Sequence, residues 1–101
     1  MRARVKFEWD PAKANANQRR HGISFEEVAE LCTTGVNYLE IFDDEHSQDE
    51  DGFIAIGPIP IGVILVVYTE PAEDVVRIIS ARRATKAETR LFQQQMGTKN
   101  E

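Results

Sequence analysis

The chain opens on a two-residue alternation. In Arg4-Val5-Lys6-Phe7-Glu8-Trp9, charged and apolar residues trade places. This predicts a strand with Val5, Phe7 and Trp9 on one face. Asp10-Pro11 then marks a helix start, with Asp as N-cap and Pro at the first helical position, where its missing N–H costs nothing. That helix is expected from Ala12 to about Arg20, ending at Gly22, since glycine tolerates the left-handed conformation after a helix. Ser24-Phe25-Glu26-Glu27 reads as a capping box for a second helix, with Ile23 and Val28 as the hydrophobic staple around it. Phe25, Val28, Ala29 and Cys32 form its apolar stripe, and Thr33-Thr34-Gly35 ends it.

The pattern then changes period. Val36 to Phe42 reads as a strand, and Asp43 to Gly52 as an acidic connection. Phe53 to Gly57 is the next strand, and Pro58-Ile59-Pro60-Ile61-Gly62 reads as a turn rich in helix and strand breakers. The nearly unbroken apolar run Val63 to Thr69 predicts a central strand, Glu70 to Asp74 a turn, and Val75 to Ala81 a last strand. Short connections predict an antiparallel meander. Thr85-Lys86-Ala87-Glu88 is a second capping box, opening a helix to about Gln95 that Leu91 and Phe92 would dock on the sheet. The expected order is β-α-α-β-β-β-β-α, an α+β fold with helices packed on a small antiparallel sheet. A single domain is expected over residues 1–101, with a frayed tail from about residue 97.

Composition adds little until charge is placed along the chain. The net charge is −5, which by itself disfavours nucleic acid. Residues 1–22 carry +4 and residues 77–101 carry +4, whereas residues 23–76 contain no Lys or Arg and carry −13. A fold that joins the two ends creates one basic face, for which phosphate is the obvious ligand. Self-neutralisation through surface pairs is the competing account. There is no apolar run of about 18 residues, and no apolar stretch follows the basic start. One cysteine, Cys32, fits a reducing compartment, so a cytoplasmic location is expected.

Candidate chemistry is sparse. Two histidines and one cysteine show no metal-ligand spacing, and the acidic run Asp43 to Asp51 lacks the calcium-loop pattern. Neither a metal nor a nucleotide cofactor is expected, since no glycine-rich phosphate loop is present. Cys32 falls on an apolar stripe and reads as core rather than nucleophile. Arg82-Arg83 lie where the last strand meets the last helix, so two guanidinium groups beside a helix N-terminus form a phosphate clamp. The plain alternative pairs one Arg with Glu50 or Glu73. His21 is titratable in a basic neighbourhood, or simply satisfies the last helix carbonyls. Trp9 either stacks on a base or packs in the core.

Several blocks together resemble a known family. Phe7-Glu8-Trp9-Asp10-Pro11-Ala12-Lys13, Asn17, Arg20-His21-Gly22 and Ser24-Phe25-Glu26-Glu27-Val28 are similar to the opening of the BrnT family, ribonuclease toxins of a type II toxin–antitoxin system. Asp44-Glu45-His46-Ser47, Phe53 to Gly57, Val66 to Glu70, and Arg77 to Thr85 with Glu88 continue the likeness in order. The resemblance implies a RelE-like fold and metal-independent RNA cleavage that arrests translation. It also implies a neutralising antitoxin of the BrnA type with a ribbon-helix-helix part, through which alone the toxin would meet DNA.

Metal-free cleavage uses the RNA's own 2′-OH as nucleophile, and so needs a base, an acid and cations on the phosphate. The resemblance implies phosphate stabilisation by Arg82 and Arg83. It offers His46 and Glu50 as acid–base candidates, with His21 competing, and Lys6, Trp9, Arg20 and His21 as RNA contacts. The chain departs from the family where an Arg commonly precedes Phe53, for Gly52 stands there, and where Phe92 replaces a frequent Tyr. Two readings stay open: a ribonuclease toxin, or a catalytically weak or inactive co-repressor kept for binding its antitoxin.

Overall fold

The computed structural model describes residues 5–33, 38–42 and 51–95. Strand β1 is Lys6–Glu8, followed by helices α1 (Pro11–His21) and α2 (Phe25–Thr33). Strands β2 (Leu39–Phe42), β3 (Asp51–Ile59), β4 (Gly62–Ala72) and β5 (Val75–Arg83) lead to helix α3 (Lys86–Gln95). The fold is α+β, a five-stranded sheet with three helices.

The capping chemistry read from the sequence is present. The Asp10 carboxylate accepts from the Ala12 amide at 2.9 Å, and Gly22 takes a left-handed conformation at φ 71°. Ser24 Oγ accepts from the Glu27 amide at 3.1 Å, while Glu27 accepts from the Ser24 amide at 2.9 Å. Both members of the staple, Ile23 and Val28, are fully buried. Thr85 and Glu88 repeat this reciprocal arrangement at α3, at 3.1 and 2.8 Å.

The sheet order is β1-β5-β4-β3-β2. The meander from β2 to β5 is antiparallel, but β1 pairs with β5 in parallel. The sheet is therefore mixed, which corrects the expectation of a wholly antiparallel one. The reason is range. Hairpin rules govern strands joined by short turns, whereas β1 reaches β5 only after two helices and three strands have intervened.

Two turns are tighter than the sequence suggests. Pro58 and Ile59 belong to β3, paired with Val63 and Gly62, so the turn shrinks to Pro60-Ile61. Likewise β4 continues through Pro71 to Ala72, and Asp74 takes φ 63° to close onto β5. A shift in register between β4 and β5 leaves Ile79 unmatched, since Val67 faces Ser80 and Tyr68 faces Ile78. Such a bulge bends the strand end carrying Arg82 and Arg83.

One face of the sheet carries the main core. Ile23, Phe25, Val28 and Leu31 pack there against Ala55, Ile64, Val66, Tyr68, Val76, Ile78 and Ala81. Ile56 and Leu65 are also buried, but alternation turns them to the opposite face. There α3 packs against β3. The docking of α3 is lighter than expected. None of its residues is buried, Leu91 is 37% exposed, and Phe92 is half-buried.

Candidate functional site

Arg82 and Arg83 end β5, and strand alternation sends them to opposite faces. Register puts Arg82 beside Leu65 and Ile56, on the α3 side. Arg83 lines up with Ile64 and Gly57, on the α2 side. The expected side-by-side clamp is therefore not formed, because both residues lie within the strand rather than beyond its end.

Arg82 is held by α3. Its Nη1 and Nη2 donate to the two carboxylate oxygens of Glu88, each at 2.9 Å, and Nη1 donates also to the Arg83 carbonyl at 3.1 Å. Among the described residues its carboxylate partner is thus Glu88 rather than Glu73, and Glu50 lies outside them. Glu88 simultaneously accepts from the Thr85 amide at 2.8 Å. The hydrogen bond from Arg82, aided by the Thr85 amide, brings the Glu88 carboxyl down to about 2. The same bond raises the Arg82 guanidinium above its ordinary value.

A guanidinium carries five N–H donors, and three are used here. The remaining two, Nε–H and one Nη2–H, form the fork that suits a phosphate or carboxylate. Among the described residues that fork meets no acceptor, and the side chain is 41% exposed. Arg83 is exposed too, but Nη1 donates to the Ile61 carbonyl at 3.1 Å, tying it to the β3–β4 turn.

The other candidates are scattered by the fold. Lys6 is exposed and pairs in register with Val75, seven residues before Arg82 along β5, or roughly 23 Å away. The expected single basic face through Lys6, Arg20, Arg82 and Arg83 is not assembled. Trp9 is half-buried, packs on the core, and meets Phe25 edge to face at 5.8 Å. His46 and Glu50 lie outside the described residues, as does most of the acidic run. Gly52 is a buried β3 position beside Thr69, which in turn faces Arg77. Arg77 donates Nε to Glu8 at 2.7 Å.

Arg20 and His21 do come together, in a groove of about 170 Å³ between α1 and β5. Lys13, Asn17, Ile79 and Ser80 line it with them. Asn17 fastens its two walls, since its Oδ1 accepts from the Ala81 amide of β5 at 3.0 Å, while its Nδ2 donates to the Ile23 carbonyl just beyond α1 at 3.1 Å. Because β1 covers β5 only from Val75 to Arg77, this side chain replaces a missing strand at Ala81. Sequence reading assigned no role to Lys13 or Ser80. The available signal was helical spacing, for Lys13, Asn17 and Arg20 fall on one face at i, i+4 and i+7.

Among the described residues, no group of three or more His, Cys, Asp or Glu could hold a metal ion. No described helix is long and apolar enough to cross a membrane.

Comparison with known proteins ties these features together. No curated protein matches the chain. Among solved structures, the crystal structure of the Brucella abortus ribonuclease toxin BrnT superposes with a TM-score of 0.60 at 20% identity, covering 81% of this chain and 99% of that one. That likeness shows the fold. The family model described as "Ribonuclease toxin, BrnT, of type II toxin-antitoxin system" matches residues 9–88, from Trp9 at the end of the first strand to the Glu88 that holds Arg82. The chain belongs to the BrnT family of ribonuclease toxins of type II toxin–antitoxin systems.

Proposed function

We propose that this chain is the toxin of such a pair, a metal-independent endoribonuclease that cuts RNA at the Arg82 end of β5 and is neutralised by a BrnA-type antitoxin with a ribbon-helix-helix part. The observation that carries the assignment is the open Nε–Nη2 fork of Arg82, held rigid by Glu88 at the N-terminus of α3. A cation oriented in this way, beside free helix N–H groups, suits a phosphate whose charge grows during attack by the 2′-OH. Glu88 does not cancel this use. It occupies one edge of the guanidinium and leaves the other for substrate.

In this reading Arg82 stabilises the phosphate directly. Arg83, on the opposite face, acts through the neighbouring turn unless the RNA wraps the strand end. His46 and Glu50 are the proposed acid and base, with His21 competing. Lys6, Trp9, Arg20 and His21 remain proposed RNA contacts, and the RelE-like label is proposed with them. The test is induced expression in a bacterial host. Growth arrest is expected from the wild type and is abolished by Arg82→Ala, with a smaller loss from Arg83→Ala. A harmless wild type that cuts no RNA, with or without ribosomes, overturns the proposal.

Gly52 supports a second reading, a co-repressor that has lost catalysis. That reading expects tight antitoxin binding without toxicity, and toxicity gained on Gly52→Arg.

A further inference from the structure

We infer that the groove between α1 and β5 is a second phosphate subsite, which grips the RNA backbone next to the Arg82 end. Lys13 and Arg20 supply its charge, with His21 and Ser80 as hydrogen-bonding groups. The inference rests on the ribonuclease reading for its substrate, but on separate residues for its geometry.

Four observations carry it. First, the groove is built rather than incidental. Its walls are joined by a buried hydrogen bond, from the Ala81 amide of β5 to Asn17 of α1, and the Asn17 side chain is itself fixed by donating to the Ile23 carbonyl, so a buried contact rather than a surface side chain holds α1 against β5. Second, its cations are unspent. In a chain of net charge −5, neither Lys13 nor Arg20 has a carboxylate partner among the described residues, and no Asp or Glu lines the groove. Third, helix stability does not explain Lys13. Arg20 and His21 sit in the last turn of α1, where cations favourably meet the helix dipole. Lys13 sits in the first turn, where the dipole disfavours a cation and where no acidic residue is present.

Fourth, the location is right for one continuous ligand. Ser80 lies two residues before Arg82 on the same strand, about 7 Å away. A single strand of RNA can touch both places. Lys13 and Arg20 are separated by two helical turns, about 10 Å, and their long side chains converge along one face. No Phe, Tyr or Trp lines the groove. Backbone phosphate, rather than a stacked base, is the chemistry it offers.

The test is binding of a labelled, 2′-O-methyl single-stranded RNA of about eight nucleotides. The substitution removes the nucleophile, so binding is read apart from cleavage. Lys13→Ala with Arg20→Ala is expected to weaken binding about tenfold and to lower the salt dependence by about one unit per lost phosphate contact. Arg19→Ala removes one positive charge, half of that lost in the double variant, from the same helix outside the groove, and is expected to change affinity less than about twofold if the effect is local rather than bulk. Equal losses in both variants, or no loss in the first, overturn the inference. So does a double variant that keeps its RNA affinity but loses the antitoxin, which makes the groove a protein-binding surface. A wild type that binds this RNA through the groove yet cuts no RNA sinks the ribonuclease reading and leaves the subsite standing.

Discussion

The two faces of the sheet are held by different physics. On one, α2 buries Phe25, Val28 and Leu31 almost completely, and Asn17 locks α1 to β5. On the other, Ile56 and Leu65 are buried but no residue of α3 itself is, and α3 is fixed by a capping box and by the Arg82–Glu88 pair. The difference separates stability from chemistry. Burial of apolar side chains holds the α2 face with little direct dependence on pH. The seating of α3 depends more on polar contacts among partly exposed groups, the arrangement that keeps a cation both oriented and reachable.

The largest effect is expected at the buried face. Phe25→Ala removes a fully buried ring and the edge contact to Trp9, and should cost about 3–5 kcal/mol in urea unfolding. A loss similar to that of a surface substitution would erase the contrast between the faces. Asn17→Ala strands the Ala81 amide and the Ile23 carbonyl, and is expected to cost about 2–3 kcal/mol. Hydrogen exchange at Ala81 should accelerate with it. Gly57→Ala comes next. A Cβ there would sit 2.7 Å from Tyr38 Cβ and 3.3 Å from Leu31, so about 1–3 kcal/mol is expected.

Effects at the α3 face should be smaller and conditional. Glu88→Gln is expected to cost about 1 kcal/mol or less, because the pair is partly open to solvent. Its pH dependence is the sharper readout. The folded carboxyl titrates near 2 and the ordinary one near 4.5, so the contribution is full above about 4.5 and fades as pH falls towards 2. Thermal melts of wild type and Glu88→Gln should therefore converge at the acid end. A gap that persists there would mean that Glu88 acts through packing. Leu91→Ser, at a 37% exposed position, should change stability by less than about 0.5 kcal/mol. A larger loss would show α3 to be a second core element.

Local signals were read well where the physics is local. Asp10, Gly22, the Ser24–Glu27 box and the Thr85–Glu88 box each involve residues within one helical turn, and each took its expected form. Strand interiors such as Val63 to Thr69 were legible for the same reason. Their ends were not, since Pro58 and Pro71 look like breakers until a neighbouring strand accepts them. At the site, the sequence offers Glu73 among the partners for one Arg, whereas Arg82 pairs with Glu88. Glu88 was read as a cap, and only the strand-to-helix geometry lets one carboxylate serve both duties.

What the sequence by itself determined is therefore the inventory: an α+β order, the helix caps, the family, and a chain with cations at its ends and none between. These follow from contacts spanning a few residues or from motif order along the chain. Only the tertiary structure decided where those cations went. The parallel seat of β1 beside β5 put Lys6 far from Arg82, alternation sent Arg82 and Arg83 to opposite faces, and Asn17 drew Arg20 against Ser80. Each of these depends on pairings between residues far apart in sequence. A one-residue change in strand end or register reverses the face on which a side chain lies, and charge counted along the chain cannot show that.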